Sequence, residues 1–369
     1  MDTNNSITNE QAEVVEGLDK DEDLSLGDYP IDTLLIRNET RTIHDVLRRI
    51  EKGTFVMDPD FQRDFIWRED KQGKLIESVL MRIPLPVFYL AENQQGEMVV
   101  VDGLQRLSTF QRFVNNEFAL KLPHQSELDN KRFNDLSPKL QNRIEDCNLI
   151  LYVIDAKVPT QAMLDIFERV NSGEPLTRQQ MRNCLFTGPA TQFLKKEATT
   201  EIFKSATGNS LNTKTMRDRE LINRFCAFYL LDLDSYKGNM DDFLAHALRE
   251  MNKLDPSQLE KLSSKFKTSM ANNKIVFGKH AFRKHTPGQD YRSVINASLW
   301  DVMSTGLADY PEHLVKEKSE LFKDAFYNLL NDFNFDNSIT LGTNQLSRVR
   351  FRFARINELL QEVFGDYTD

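Results

Sequence analysis

Residue types that can bind a phosphate group occur together in the stretch VVVDGLQR, residues 99–106. Asp102 and Gly103 end an apolar run, and Arg106 follows in what reads as the first turn of a helix. Glycine lets backbone N–H groups approach an anion, and the first turn of a helix carries N–H donors without partners. Arg106 can add a bidentate contact to a phosphate, while Asp102 can hold Mg²⁺ or orient a water molecule.

The same stretch also fits an ordinary turn from a strand into a helix. In that interpretation Asp102 caps the helix and Arg106 forms an ion pair at the surface, because Asp and Gly are common at such turns. The local sequence leaves both interpretations open.

A second segment, DPDFQRDFIW at residues 58–67, places a Gln-Arg pair among aromatic side chains. Arg63 can contact a phosphate while Phe61 or Trp67 stacks on a base. The alternative is an aromatic anchor that holds a loop against the core.

The third segment is FERVNSGEPLTRQQMRN at residues 167–183, in which Asn171 begins a tight turn between two predicted helices. The turn is surrounded by arginines: Arg169, Arg178 and Arg182. Such a turn can present N–H groups to an anion, but a helical hairpin requires the same turn. Thr177 and Gln180 predict a capping box at the start of the second helix.

The elements that must position these segments follow from the apolar periodicity. Strands are predicted at TFVM, PVFYLA, MVVVD and CNLILYVIDA, with helices between them. Strand signals fade after about residue 156, and the remainder reads as amphipathic helices. We therefore predict an α+β fold: a mixed domain over residues 28–156 and an all-helical domain over residues 157–369. The polar, acidic residues 1–27 are predicted to form a disordered tail.

Composition and missing motifs exclude several classes of protein. The net charge is −9, which argues against a constitutively basic nucleic-acid coat protein, although 47 Lys and Arg residues leave room for a local basic groove. The sequence has no Walker, GxGxxG, HExxH, GxSxG or paired-cysteine zinc motif. It has three isolated cysteines, no signal-peptide pattern and no 18-residue apolar run. We expect a cytoplasmic protein with free thiols and no membrane contact.

Two further stretches of the sequence are basic. GKHAFRKHTPG, residues 278–288, is basic and rich in turn residues. LSRVRFRFARINELL, residues 346–360, places Arg348, Arg352 and Arg355 on one face of a predicted helix and apolar residues on another. That face can bind DNA or a partner, or it can be a solvated basic surface.

The three phosphate-binding segments, in this order and spacing, resemble one family. Together with KLIESVLMRIPLPVFYL they are similar to the GmrSD-type restriction endonuclease N-terminal domain, also described as a ParB/sulfiredoxin-like module, over most of residues 40–185. The resemblance implies a ParB/sulfiredoxin-like α+β core followed by a helical region. It also implies binding and hydrolysis of a nucleoside triphosphate (NTP) with Mg²⁺ in an anti-phage system that senses modified DNA.

Roles for individual residues come from the family's Asp-Gly-Gln-Gln-Arg signature, which this sequence matches except that Leu104 replaces the first glutamine. The implied catalytic residues are Asp102, Gln105 and Arg106, and Asp102 is also the implied metal ligand. The implied nucleotide contacts are Gln62, Arg63, Gly103, Arg106 and Asn171. Gln180 stands where the family often has a glutamate.

Many family members carry a C-terminal His-Asn-His nuclease domain, and this sequence has no such motif. We therefore expect a nucleotide-binding component of a restriction or anti-phage defence system, with a nucleotide, DNA and a separate nuclease subunit as partners. Two alternatives stay open. One is a DNA nuclease or nickase whose metal ligands are Asp58, Asp60, Asp64 and Asp102. The other is a non-catalytic module that binds DNA or a partner.

Overall fold

A computed structural model describes residues 14–18, 35–57, 67–93, 96–170 and 177–365. The chain divides into two units, which we call the α/β unit and the helical unit. The α/β unit spans residues 26–185, and the helical unit spans residues 186–369 together with the segment that includes residues 14–18.

The α/β unit contains a five-stranded mixed sheet with the order β1-β5-β3-β4-β2. The strands are β1 Ile36–Thr42, β2 Phe55–Val56, β3 Phe88–Glu92, β4 Met98–Asp102 and β5 Asn148–Ile154. β1 pairs with β5, and β3 with β4, in antiparallel fashion, whereas the β3–β5 and β2–β4 pairs are parallel.

Helices cover both faces of this sheet. One face packs against α1 Ile43–Glu51, α2 Glu69–Leu80, α3 Leu104–Val114 and α4 Pro138–Glu145, and the other against α5 Thr160–Val170 and α6 Arg178–Leu185. Successive side chains of a strand point to opposite faces, so Val100 joins the first core and Val101 the second. Both faces are buried, which explains the unbroken valine run of β4.

The unit boundary lies at residue 185, whereas the sequence places it at residue 156. The strand pattern does end there, but α5 and α6 still belong to the sheet. Met163, Phe167 and Met181 are almost fully buried in the core that contains Val101. Without these two helices the second face of the sheet would expose its apolar side chains to water.

Side-chain caps explain where the helices α1 and α6 begin. Thr42 precedes α1, and its side chain accepts a hydrogen bond from the backbone N–H of Asp45 at 3.1 Å. The capping box predicted for α6 is confirmed: the Thr177 N–H donates to Gln180 Oε1 at 2.7 Å, and the Gln180 N–H donates to Thr177 Oγ1 at 3.3 Å.

The described part of the helical unit is built from α-helices and short 3₁₀ turns. The α-helices are α7 Pro189–Ala198, α8 Glu201–Thr207, α9 Arg217–Leu230, α10 Met240–Met251, α11 Pro256–Phe277, α12 Ala297–Gly306, α13 Glu312–Glu317, α14 Ser319–Leu330, α15 Phe333–Thr340 and α16 Leu346–Phe364. Their core includes the fully buried Trp300 and Phe266. The predicted α+β class is confirmed by the sheet and these helices. None of the helices that the structure describes has both the length and the apolarity needed to cross a bilayer.

A short piece of the predicted acidic tail packs against the helical unit. The Glu16 N–H donates to the Ile295 carbonyl at 2.8 Å, and the Ala297 N–H donates to the Glu16 carbonyl at 2.9 Å. Val15 beside it is buried. The prediction of a wholly disordered segment therefore fails for residues 14–18, while residues 1–13 and 19–27 lie outside the described part of the chain.

The basic face predicted for α16 does not form as a surface. Arg352 is fully buried, and its Nη2 donates to Asp301 Oδ2 at 2.9 Å. Arg348 donates to the Asn337 carbonyl at 2.7 Å, and Arg355 pairs with Glu358. The opposite apolar stripe is buried as predicted: Val349, Phe353, Ile356 and Leu360. The interpretation of this face as a DNA-binding or solvated surface is wrong for Arg352, because that residue compensates a carboxylate in the core.

Candidate functional site

The turn from β4 into α3 brings a strand end and a helix start together at Gly103. This residue has φ +102, in the left-handed region, and stands at the N-cap position of α3. A Cβ atom at this position would overlap the ring of Phe88 on the neighbouring strand β3. Glycine is therefore required twice, for its backbone conformation and for the close approach of Phe88.

Arg106, in the first turn of α3, points back towards the sheet. Its Nη2 donates to Asp102 Oδ2 at 2.7 Å and to the Val87 carbonyl at 3.0 Å, and its Nη1 donates to the Pro86 carbonyl. The guanidinium carbon lies 4.1 Å from the centroid of the Phe88 ring. Arg106 thus joins the end of β4 to the segment that enters β3.

The two local interpretations of this turn both need adjustment. Asp102 does pair with Arg106, but the Arg106 side chain is only 10% exposed, so the pair is not a surface ion pair. Asp102 does not cap the helix, since the N-cap residue is Gly103 and no side chain caps the first turn. Burial lowers the pKa of the Arg106 guanidinium, and the Asp102 carboxylate opposes that shift.

Asp102 retains a coordinating atom in this arrangement. Its side chain is 32% exposed, and Oδ2 alone accepts from Arg106. Among the described residues Oδ1 has no hydrogen-bond partner. A carboxylate oxygen of this kind is a suitable ligand for Mg²⁺.

Gln105 presents a second polar atom at the start of α3. Its Oε1 is buried without a hydrogen-bond donor from the part of the chain that the structure describes. A buried acceptor without a donor costs about 1–3 kcal/mol, so a bound group that donates a hydrogen bond there would be favoured. The first helical bond is from the Leu107 N–H to the Gly103 carbonyl at 2.9 Å, so the preceding N–H groups of the turn have no partner within the helix.

The third segment reaches the same strand through α6, which packs against β4. Arg178 forms ion pairs with Asp165 at 3.3 Å and with Glu168 at 3.1 Å, so it bridges α6 to α5. Arg182 is fully buried, and its Nε donates to Gln179 Oε1 at 3.0 Å. The Arg178 ion pairs join the two helices of the hairpin, as the alternative to an anion site requires.

Several predicted site residues lie outside the described residues: Gln62, Arg63 and Asn171, together with Phe61, Asp58, Asp60 and Asp64. Trp67, the last residue of the second segment, is described. The Lys71 Nζ lies 4.2 Å from the centroid of the Trp67 ring, and the Trp67 carbonyl accepts a hydrogen bond from Gln72 Nε2 at 2.7 Å. Because Trp67 packs against the core, this residue fits the aromatic-anchor interpretation.

Metal-ligating side chains do not cluster in the described part of the chain, where no group of three His, Cys, Asp or Glu residues converges. From the described residues, Mg²⁺ at the turn would therefore take few ligands, and its other oxygens would come from elsewhere, such as a nucleotide or water.

Sequence reasoning missed the residues at the start of β3 and just before it that complete the turn. The carbonyls of Pro86 and Val87 and the ring of Phe88 hold the Arg106 guanidinium, although they lie 18 to 20 positions earlier in the chain. A backbone carbonyl carries no signal in the sequence, and Phe88 reads as an ordinary core residue. The pairing of β3 with β4 is what brings them to Arg106.

Comparison with known proteins identifies the α/β unit. The family model of the GmrSD restriction endonuclease N-terminal domain matches residues 43–187. Comparisons with the curated proteins and with the solved structures gave no match. The family match implies a restriction- or defence-related function that acts on DNA. Residues 43–187 thus match the domain family of the GmrSD restriction endonuclease N-terminal domain.

Proposed function

We propose that the β4–α3 turn binds the phosphate groups of a nucleoside triphosphate with Mg²⁺. The chain then acts as a nucleotide-dependent component of a restriction or anti-phage defence system, with DNA as its target and a separate nuclease subunit as the component that cuts. The observation that carries the proposal is the turn itself: a left-handed Gly103 at a helix start, beside the accessible carboxylate of Asp102.

Each residue of the turn has a distinct role in this proposal. The N–H groups after Gly103 bind phosphate oxygens, because they lie at the positive end of α3. Asp102 Oδ1 would hold Mg²⁺, which would neutralise the charge of the phosphates. Arg106 is a positioning residue, since its donors already serve Asp102 and two carbonyls.

Hydrolysis of the nucleotide is the further step that we propose for this site. Gln105 would orient the attacking water through its side-chain amide, which has an unused oxygen in the described structure. Leu104 has no polar group to assist, so this step rests on Asp102 and Gln105.

Calorimetric titration of the full chain with each NTP and Mg²⁺ tests the binding step. We expect saturable binding by the wild type and at least a tenfold weaker affinity for Asp102→Asn, which keeps the shape of the side chain but removes its charge. Arg112→Gln is the matched control, because Arg112 lies on the same helix and pairs with Glu117 away from the turn. No binding by the wild type, or equal binding by Asp102→Asn, contradicts the proposal.

Phosphate release under the same conditions tests hydrolysis separately. We expect release by the wild type and Arg112→Gln, and release at background level for Gln105→Leu with nucleotide binding retained. Background release by the wild type, despite binding, would limit the site to nucleotide sensing.

A further inference from the structure

The basic stretch at residues 278–288 packs against the C-terminal end of α8 in the helical unit. Arg283 within it is buried; its Nη2 donates to the Thr207 carbonyl at 2.8 Å, and its Nη1 donates to the Ser293 carbonyl. Arg283 therefore fixes the loop at residues 286–293 against the end of α8, and the remaining cations of this region are held at defined places on one surface.

Three exposed cations surround this contact, and we call them the cationic patch: Lys274, Lys279 and Arg292. Lys274, near the end of α11, contacts the hydroxyl of Ser205 on α8. Lys279 Nζ donates to the Asp290 carbonyl at 2.6 Å. Arg292 Nη1 donates to the Gly208 carbonyl at 3.1 Å.

Gly208 lets Arg292 lie directly on the turn that ends α8. Its φ is +71, and a Cβ atom there would overlap the Arg292 guanidinium. The Tyr291 side chain beside it is 73% exposed. The surface thus combines a guanidinium held close to the backbone with an aromatic ring that is open to solvent.

Asp290 places an exposed carboxylate in the loop beside the cationic patch. Among the described residues neither Lys274 nor Lys279 pairs with a carboxylate. Other lysines of the helical unit do have such partners: Lys196 with Glu260, Lys253 with Glu250, and Lys265 with Asp309.

Helix capping explains part of this arrangement, since cations are favourable at the negative end of α8. The contacts that the structure gives to Lys274 and Lys279 use one acceptor each, whereas a lysine ammonium has three donors. Both side chains are also exposed, so capping leaves donors and charge available to a ligand.

We propose that the cationic patch binds the sugar-phosphate backbone of duplex DNA. Exposed lysine and arginine side chains neutralise successive phosphates and release their counterions, whatever the base sequence. Tyr291 can add a hydrogen bond from its hydroxyl to a phosphate or sugar. The inference takes from the proposed function only that DNA is the target, and it places that contact in the helical unit.

The test is the salt dependence of binding to a fluorescent DNA duplex, measured by anisotropy on the full chain. The triple variant Lys274→Gln, Lys279→Gln, Arg292→Gln removes the charge of the cationic patch. We expect the slope of log K against log salt to fall by about three, because each phosphate contact contributes about one. At a fixed low salt concentration the affinity should fall at least tenfold.

A matched control removes the same charge from the opposite end of α11. Lys196→Gln, Lys253→Gln and Lys261→Gln change three exposed lysines, and Lys261 lies about 20 Å along α11 from Lys274. We expect the control to keep most of the salt slope. The single variant Lys279→Gln should lower the slope by about one, which avoids dependence on the fold of the triple variant.

The outcomes separate this inference from the proposed nucleotide site. Triple-variant protein that retains the wild-type slope, or wild-type protein that does not bind the duplex, overturns the inference. Tighter binding of a single-stranded RNA than of the duplex also overturns the assignment to DNA. The triple variant should bind NTP as the wild type does, because the cationic patch is not part of the proposed nucleotide site. If the wild type fails to bind NTP, the proposed function is contradicted, but the result for the cationic patch still stands.

Discussion

Each unit of the molecule holds an aspartate with arginine, and the two arrangements differ in what they leave accessible. In the helical unit Asp301 accepts from Arg224 at 2.7 and 2.6 Å and from Arg352 at 2.9 Å. The three side chains are at most 2% exposed. In the α/β unit Asp102 gives one oxygen to Arg106 and stays 32% exposed.

The difference separates a structural carboxylate from one that can still bind a ligand. Both oxygens of Asp301 are used, and its partners cross-link α9, α12 and α16. Burial raises the pKa of the neighbouring Tyr236 to about 12, which reflects a site that excludes water. Asp102 lies at a strand end beside the free N–H groups of a helix, where a ligand can replace water. The same pair of residue types therefore serves stability in one unit and, in our proposal, binding in the other.

The largest expected effect is on the buried network. Asp301→Asn leaves two buried arginines without their counter-charge, and breaking a buried ion pair in this way costs about 3–5 kcal/mol. Urea unfolding followed by the fluorescence of Trp300, which lies buried on α12, measures the loss. Asp309→Asn is the control, because its carboxylate is 55% exposed and should cost less than about 1 kcal/mol. Equal costs at the two positions would contradict the structural role of Asp301.

A smaller loss is expected at the turn. Arg106→Gln removes the contacts to Asp102 and to two carbonyls, and we expect the α/β unit to lose about 2–3 kcal/mol because those acceptors are partly buried. Trp67 lies in this unit and Trp300 in the other, so a Trp300→Phe background reports on the α/β unit alone. Arg48→Gln, in the same unit, should cost under about 1 kcal/mol, since the Arg48 side chain is 50% exposed and pairs with Asp45 at the surface. A negligible loss for Arg106→Gln would show that the turn does not depend on this residue.

Asp218 is a third case to compare with Asp301 and Asp102. It is a buried carboxylate for which the structure gives no strong cationic partner to offset burial. Burial raises its pKa from 3.8 to about 6. Between these values the folded state keeps a proton that the unfolded state has released, so the free energy of unfolding falls as pH rises from 3.8 to 6 and stays lowered above that.

Asp218→Asn removes this penalty. We expect the variant to be more stable than the wild type by about 2 kcal/mol at pH 7.5, with the advantage shrinking towards pH 4.5. Denaturant unfolding at the two pH values measures it, and Asp324→Asn, an exposed carboxylate on α14, is the control. A stability difference independent of pH would contradict the assignment.

The smallest effect on stability is expected at Asp102. Asp102→Asn should cost only about 1 kcal/mol, because the carboxylate is a third exposed and solvent screens its pair with Arg106. Its loss of nucleotide affinity should nevertheless be at least tenfold. A variant that unfolds readily but still binds nucleotide would reverse the comparison and make Asp102 the structural carboxylate.

Periodicity predicts most elements of the α/β unit because their apolar residues alternate or recur as in regular strands and helices. The strands β3, β4 and β5 appear where FYLA, VVVD and LILYVI predict them, and the predicted helix follows Gly103. The edge strand β1 was missed because its sequence, IRNETRT, is polar and only half-buried. Its place beside β5 depends on backbone pairing between distant segments, which no local pattern encodes.

The site was predictable only as far as local geometry reaches. The strand, the glycine and the helix at residues 99–106 follow from the sequence. The pairing of Asp102 with Arg106 was one of the two interpretations that the sequence left open. The direction of the Arg106 guanidinium depends on Phe88 and on the two carbonyls just before β3, so the sequence does not contain it. For Arg352 the same limitation led to an error, because a helix face of arginines looks solvated until Asp301 is placed opposite it.

Hydrogen–deuterium exchange of the full chain, with and without saturating NTP and Mg²⁺, tests the central claim most directly. If the β4–α3 turn binds phosphate, the N–H groups of residues 104–106 exchange more slowly with nucleotide present, and Asp102→Asn removes most of that protection. Exchange at these residues that is unchanged by nucleotide, or protection confined to the helical unit, would contradict the account.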